Sequence, residues 1–285
     1  SLGQALAAGT KFESIFDATG PEAIGSLADL NAACARDGAV IRVKAGVKLE
    51  KPLELIHYTT KGDGCASHLR HIVELGQDAS LSVLEAQIGW GGHYLADRFM
   101  HVNLQARSNL THVRVEDEDT QALHLTTLLA EIETDANYKA TTLALGGRAG
   151  RMQSAIRFKG EGGNAVSDTA YLLRADQHLD TTMVADHAVP ACNSAAQAKG
   201  VLAGRATGVF QSKVVVAPGA QKSDARQMSN ALLLSRDAAM NAKPELEIYA
   251  DDVQCAHGST IGELDGDALF YLRSRGIEEP IARQL

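Results

Sequence analysis

From residue 66 to about residue 240 the chain contains no convincing helical stretch of ten residues, and that absence limits the fold more than any other feature. In its place stand short runs in which apolar and polar residues alternate: Leu69-x-His71-x-Val73-x-Leu75, Leu110-x-His112-x-Arg114, Leu123-x-Leu125-x-Thr127-x-Leu129, Thr207 to Val216 and Asn230 to Leu234. A period of two places every second side chain on one face of a strand. Polar or glycine-rich bends separate the runs, among them Glu74-x-Gly76-Gln77-Asp78, Gly146-Gly147 and Pro218-Gly219. Parallel α/β folds need a helix at each crossover and are excluded. About fifteen strands in one block exceed an ordinary sandwich. Two all-β architectures remain: a solenoid in which each coil of strands stacks on its predecessor, and a large irregular antiparallel barrel. No exact repeat decides between them. In a solenoid, Val, Leu and Ile would fill the interior and small residues at the bends would allow close stacking.

The flanks read differently. Leu2 to Ala8, Phe12 to Phe16 and Ala23 to Ala35 carry helical spacing, and a strand begins at Ala39. At the other end, Leu246, Ile248 and Ala250 alternate with Glu245, Glu247 and Tyr249, and Asp251-Asp252 turns the chain. Cys255 and His257 follow two residues apart, so an extended backbone projects both from one face. Asp265-Gly266 marks a turn, after which Leu269, Leu272 and Arg273 read as a short helix stopped at Gly276. The expected organisation is an amino-terminal helical segment over 1–38, an all-β core over 39–262 and a helical tail over 263–285.

Several function classes drop out. A formal charge of -8 leaves nothing to offset phosphate repulsion, so no nucleic-acid partner is expected. No apolar run reaches membrane-spanning length and no charged leader precedes one, so the expectation is a cytoplasmic protein without a membrane partner. Cys34, Cys65, Cys192 and Cys255 are scattered without a CxxC pair, which favours free thiols over a structural zinc site or a self-contained iron–sulfur motif. The glycine pairs lack the lysine-serine/threonine ending of a phosphate loop, so the chain is not expected to hydrolyse ATP. Ten histidines form no HExxH motif, although a solenoid stacks residues remote in sequence and could gather them into a ladder.

A set of strings, in order along the chain, then narrows the choice. Leu49-Glu50-Lys51-Pro52, Gln221-Lys222-Ser223-Asp224-Ala225, LEIYADDV over 246–253, Cys255-Ala256-His257-Gly258 and FYLRSRGI over 270–277 closely resemble the SufB/SufD family of iron–sulfur cluster assembly proteins. Supporting matches include 31–38, His71-Ile72-Val73-Glu74 and Gly204 to Phe210. The resemblance implies a right-handed parallel β-helix with short helical segments at both ends. It also implies a scaffold subunit, not an enzyme, that works with a paralogous partner and an ABC-type ATPase. The tail helix, with Leu269, Phe270, Tyr271, Arg273 and Arg275, would dock that ATPase. Further helix would be expected beyond Leu285 and before the amino-terminal segment, as in a core fragment.

The strings are closer to the SufD type. The SufB type carries a His-Glu pair where this chain has Ala256-His257, and a core cysteine about one coil upstream, where this chain reads Arg226-Gln227-Met228-Ser229. By that resemblance His257 would lie at the interface with a SufB-type partner and serve cluster formation or iron handling. Imidazole suits iron, but the site would be completed only by the partner. No cofactor is then held stably by this chain alone; iron or a nascent cluster would visit the interface. Cys255 would share the face, or simply pack as a small hydrophobe. Asp224, Asp251 and Asp252 look like a carboxylate cluster suited to a hard or borderline cation, although turns that cap their own backbone are the commoner use of such residues. Arg273 would tie the tail to the core or pair with the ATPase. In isolation the same edge could form a homodimer. The competing readings are a SufB-like cluster-holding paralogue and a β-helix polysaccharide lyase or hydrolase, which should show paired carboxylates and aromatic sugar platforms beyond the single Trp90.

Overall fold

A computed structural model describes residues 1–7, 22–60, 64–283 and 285. The proposed helix at Phe12 to Phe16 and part of the loop after Thr59 lie outside the described residues. The amino-terminal helices are α1 (Leu2–Ala7) and α2 (Glu22–Cys34). The first eight strands are β1 (Val40–Val43), β2 (Leu53–Thr59), β3 (Cys65–Leu75), β4 (Ser80–Gly89), β5 (Tyr94–Leu104), β6 (Asn109–Asp117), β7 (Leu123–Ile132) and β8 (Asn137–Ala144). Then come β9 (Ala149–Phe158), β10 (Asn164–Leu173), β11 (His178–His187), β12 (Asn193–Leu202), β13 (Thr207–Val216), β14 (Asp224–Leu233), β15 (Ala239–Ile248) and β16 (Gln254–Glu263). Helices α3 (Gly266–Ser274) and α4 (Glu279–Ala282) close the chain.

The pairing decides between the two architectures. All odd-numbered strands form one eight-stranded sheet, here the odd sheet, and all even-numbered strands form the other. Each strand pairs in parallel with the strand two elements away, for example β3 with β5 and β4 with β6. The chain therefore winds as a solenoid with one odd and one even strand per coil, and the antiparallel barrel is ruled out.

One corner explains how the coil repeats without repeating its sequence. Asp78 (φ 60), Arg107 (φ 57), Asp135 (φ 56), Gly162 (φ 73), Ala191 (φ 58) and Lys222 (φ 63) all adopt the left-handed conformation two residues before an even strand. The same bend recurs in six consecutive coils while its residue type changes. Asn109, Asn137, Asn164 and Asn193 open successive even strands in register. Asn137 donates to Asn109 Oδ1 at 3.1 Å across an interval of 28 residues.

The interior departs from the expectation of Val, Leu and Ile throughout. Apolar side chains occupy the two corners. Leu75, Leu104, Ile132 and Phe158 stack in register along one, followed by His187 and Val216. Tyr171, Leu202, Phe210 and Met240 pack along the other. Between the corners the inward faces are polar: Thr126, Thr142 and Thr181 are buried there beside His112 and Arg114, around a cavity of about 50 Å³. A space of that size has room for a few waters. Hydroxyls, whose hydrogens rotate to suit, pair readily with water in such a band.

On the outside the sheets are treated unequally. Helix α2 lies on the odd sheet, where Ala28 packs with Phe99, Leu129 and Ala155. Arg70 is fully buried beneath it, donating to Ala28 O at 3.3 Å and Asn31 Oδ1 at 3.2 Å, with its guanidinium 3.6 Å over the Phe99 ring. Burial pulls that guanidinium down to about 10. No helix among the described residues packs in this way on the even sheet.

Candidate functional site

The final coil is where the sequence candidates meet an opening. Ala225, Gln227 and Ser229 face the interior from β14, and Cys255, His257 and Ser259 lie over them in register on β16. The expectation that Cys255 and His257 share a face is therefore realised by the strand, which spaces the two Cα atoms by ~7 Å. Strands β15 and β16 are the last of their sheets, so no further coil covers them. Inward positions that are buried or half-buried in the earlier coils become exposed here: His257 is exposed, Ile248 is 41% exposed and Ile261 47%.

Beneath His257 the floor is polar and fixed. Gln227 is 3% exposed; its Oε1 accepts from Ser212 Oγ, and its Nε2 donates to Glu245 O at 3.4 Å, tying the two sheets together. Ser229 beside it is buried with its hydroxyl unpartnered. Cys255 is half-buried and packs against the apolar corner. Burial pushes its thiol above the ordinary value, so it is held as the neutral thiol near pH 7. The pair thus offers an accessible imidazole next to a shielded sulfur.

The carboxylates do not assemble into a cation site. Asp224 is held by Arg226 at 2.9 and 3.1 Å, and Asp252 pairs with Lys222. No group of three or more His, Cys, Asp or Glu residues that could hold a metal occurs among the described residues. Cys34 and Cys65 are exposed and Cys192 is buried. Among the described residues no helix is long and apolar enough to cross a membrane.

In the tail, Asp265 caps α3 by accepting from Asp267 N and Ala268 N, and Gly276 follows in the left-handed conformation. Phe270 and Tyr271 are 73% and 58% exposed, while Leu269 is half-buried. Arg273 does not reach the solenoid: it pairs with Glu279 of α4 at 3.4 Å. Arg275 lies 5.0 Å over the Tyr271 ring. The link from tail to solenoid that does form is Arg283 to Leu234 O, at 3.5 Å.

A second constellation, far from this end, was not anticipated as a cluster. Glu85 is 1% exposed inside the solenoid, where its Oε2 accepts from His112 Nε2 and Arg114 Nε, both at 2.9 Å, and its Oε1 from Gln87 at 2.9 Å. His57 Nε2 stands 3.3 Å from the same carboxylate, close enough for attraction but poorly aligned for a hydrogen bond. Burial works against a charged Glu85, yet Arg114 and His112 outweigh it and hold the carboxyl well below its usual range. Burial also disfavours a charged His124, but Glu116 at 3.2 Å and Glu118 at 2.7 Å outweigh it and raise the imidazole to about 10. His71, 4.9 Å from the His57 ring, has no acidic partner in contact and is pushed by burial down to about 3. The sequence did carry a signal, because His112 and Arg114 occupy the apolar phase of an alternating strand.

Comparison with known proteins draws these observations together. Residues 57–285 match the family profile described as SUF system FeS cluster assembly, SufBD core domain. The chain belongs to the SufB/SufD family. It is 33% identical over 253 residues to the iron–sulfur cluster assembly protein SufD of Escherichia coli, covering 86% of this chain and 59% of that protein. A SufBD family protein of Mycobacterium tuberculosis is 33% identical over 257 residues, covering 86% and 63%. The chloroplastic protein ABCI7 of Arabidopsis thaliana is 29% identical over 266 residues, covering 90% and 56%. The chain therefore spans little more than half the length of these SufB/SufD relatives. Within this family the open coil, not the sealed network, carries the residues singled out from sequence.

Proposed function

We propose that this chain is a SufD-type scaffold subunit of an iron–sulfur assembly complex and is itself without catalytic activity. The open final coil carries this reading. It leaves backbone edges on β15 and β16 unpaired and presents the His257 imidazole without a hydrogen-bond partner among the described residues. Unpaired strand edges are templates for another chain. A paralogous solenoid with its own open coil would continue both sheets and close the joint around His257 and Cys255. Imidazole and thiol are ligands suited to iron and sulfide, and two of them make only half of a tetrahedral site, so the partner would supply the rest. Iron and sulfide enter as cargo of the assembly. Without its partner, the same edge would be free to meet a second copy.

The tail supports the second half of the proposal. Phe270 and Tyr271 expose large aromatic surfaces on a short helix that buries no residue, which is poor economy unless something covers them. An ABC-type ATPase docked there would transmit its own closure through α3 and α4 to the final coil. The sugar-cleaving alternative has little to stand on. Glu85, Glu116 and Glu118 are sealed inside, while Asp224 and Asp252 are bound to their own cations.

The test is anaerobic reconstitution with the SufB-type partner and the ATPase, with iron and sulfide content measured for wild type and His257→Ala. Loss of cluster from an assembled complex supports the site. Unchanged loading removes His257 from the chemistry, and failure to assemble would recast it as an interface residue.

A further inference from the structure

The layer beneath the open coil is built unlike the one below it. In β11 and β12 the inward side chains at mid-strand are Met183, Ala196 and Ala198. One coil on, the same registers hold Ser212, Gln227 and Ser229. All three are buried, Ser229 at 1% exposure. In the final coil the registers above Gln227 and Ser229 hold His257 and Ser259, both exposed. The interior thus turns polar one coil before it opens, at a depth that solvent does not reach.

The polar atoms of this layer do not satisfy one another. Gln227 Oε1 accepts from Ser212 Oγ, and Gln227 Nε2 donates to Glu245 O. Those two bonds leave the second Nε2 proton of Gln227 without an acceptor. The Ser229 hydroxyl is, among the described residues, the one buried side-chain polar atom of β13 to β16 with no partner at all. Burying a hydroxyl in that state is costly. Ala198 shows that a methyl group fills the same register one coil earlier, so filling space does not explain a serine here. What the layer offers is two neutral donors, with no inward carboxylate on β13, β14 or β15 to hold a cation. Donors of this kind stabilise an anion. The walls beside them, Val214 and Leu246, are apolar, which favours a large, weakly hydrated anion over a hard one.

We propose that Ser229 and Gln227 are positioning residues for sulfide: the floor of the open coil donates hydrogen bonds to a cargo sulfide while the His257 imidazole above takes the iron. The proposal rests on the scaffold reading and adds a division of labour to it. His257 and Ser229 are diagonal neighbours on adjacent strands, their Cα atoms about 8 Å apart, so an iron–sulfide unit can join imidazole to hydroxyl. The side chain directly over Ser229 is that of Ser259, an exposed hydroxymethyl that turns aside by rotation about χ1.

The experiment is anaerobic reconstitution of the full 285-residue chain with the SufB-type partner and the ATPase, counting iron and acid-labile sulfide separately. Urea stability is measured on the chain alone. Ser229→Ala removes a hydroxyl that nothing in the chain satisfies, so stability should hold or rise. In the loaded complex the same variant should release sulfide into a trap at least ~10-fold faster, the effect of losing one hydrogen bond to a charged group. Ser229→Thr keeps the hydroxyl and should restore retention. Unchanged sulfide release in Ser229→Ala would overturn the inference. So would a loss of stability with iron and sulfide falling together, which would make the hydroxyl a member of the fold. The reading beneath it fails separately: loading indifferent to His257→Ala sinks both, whereas loading that needs His257 but ignores Ser229 sinks the floor alone.

Discussion

Two groups of histidines divide this molecule. His57, His71, His112 and His124 point into the solenoid and are at most 7% exposed, whereas His257 occupies an equivalent inward position in the last coil and is open to solvent. The strand chemistry is the same in both places. What differs is whether another coil follows. Inside, burial lowers the imidazoles of His71 and His112 while carboxylates raise that of His124, and the state that results is a property of folding. At the end, the His257 imidazole has no hydrogen-bond partner among the described residues and is open to an incoming ligand or partner. Position along a solenoid thus decides whether the same residue is locked into the fold or left accessible.

The sharpest way to break this comparison is at Glu85. Replacing it with Gln strands the Arg114 charge in the interior and leaves one acceptor oxygen where two served His112, Arg114 and Gln87. Breaking a buried charge pair costs about 3–5 kcal/mol. Urea denaturation should show that loss with little change in slope. A cost of only a few tenths would mean that water in the interior carries the network, and the sealed group would lose its claim to stability.

A smaller effect separates the sealed histidines by sign. His187 takes the place of an apolar residue between Phe158 and Val216, bonds Ser194 Oγ at 2.8 Å, and is driven by burial from 6.5 down to about 4. The folded state binds that proton less readily than the unfolded state. Its stabilising contribution is therefore complete above pH 6.5 and is lost as pH falls towards 4, about 3 kcal/mol in all. His124 works the other way: raised to about 10, it contributes fully below pH 6.5 and loses its contribution as pH rises through 10. His187→Leu should make the acid limb of the stability profile shallower, with buried His71 still contributing to it, and leave the alkaline limb in place. A variant whose acid limb is unchanged would assign that limb to other groups.

The strands were legible in sequence because period-two alternation survives any change of residue type, and the open coil was legible because Cys255, His257 and the tail lie close together in the chain. The winding was not. The left-handed bend recurs at Asp78, Arg107, Asp135, Gly162, Ala191 and Lys222, a set with no common side chain, and the asparagines of the even strands recur at intervals that vary with loop length. The repeat lives in the backbone. The Glu85 network escaped for a related reason: its members come from β2, β4 and β6, and only the stacking of coils brings them into contact. One bend offers a modest check. Ala191→Gly should stabilise the chain by up to about 1 kcal/mol, since glycine meets no Cβ penalty at positive φ. A loss instead would show that the bend is held by more than its backbone angle.

The smallest expected effect is the most informative. His257→Ala removes an exposed side chain with no protein partner, so thermal and urea stability should move by less than ~0.5 kcal/mol. If the imidazole were a structural member of the last coil, its removal would expose Gln227 and the unpartnered Ser229 to rearrangement, and a loss above ~1 kcal/mol would follow. A neutral result places His257 apart from every inward histidine studied beside it, since Glu85 and His187 variants would each shift the same curve. It also makes reconstitution interpretable: any loss of iron and sulfide in the His257→Ala complex could then be attributed to the open coil's chemistry and not to a weakened fold.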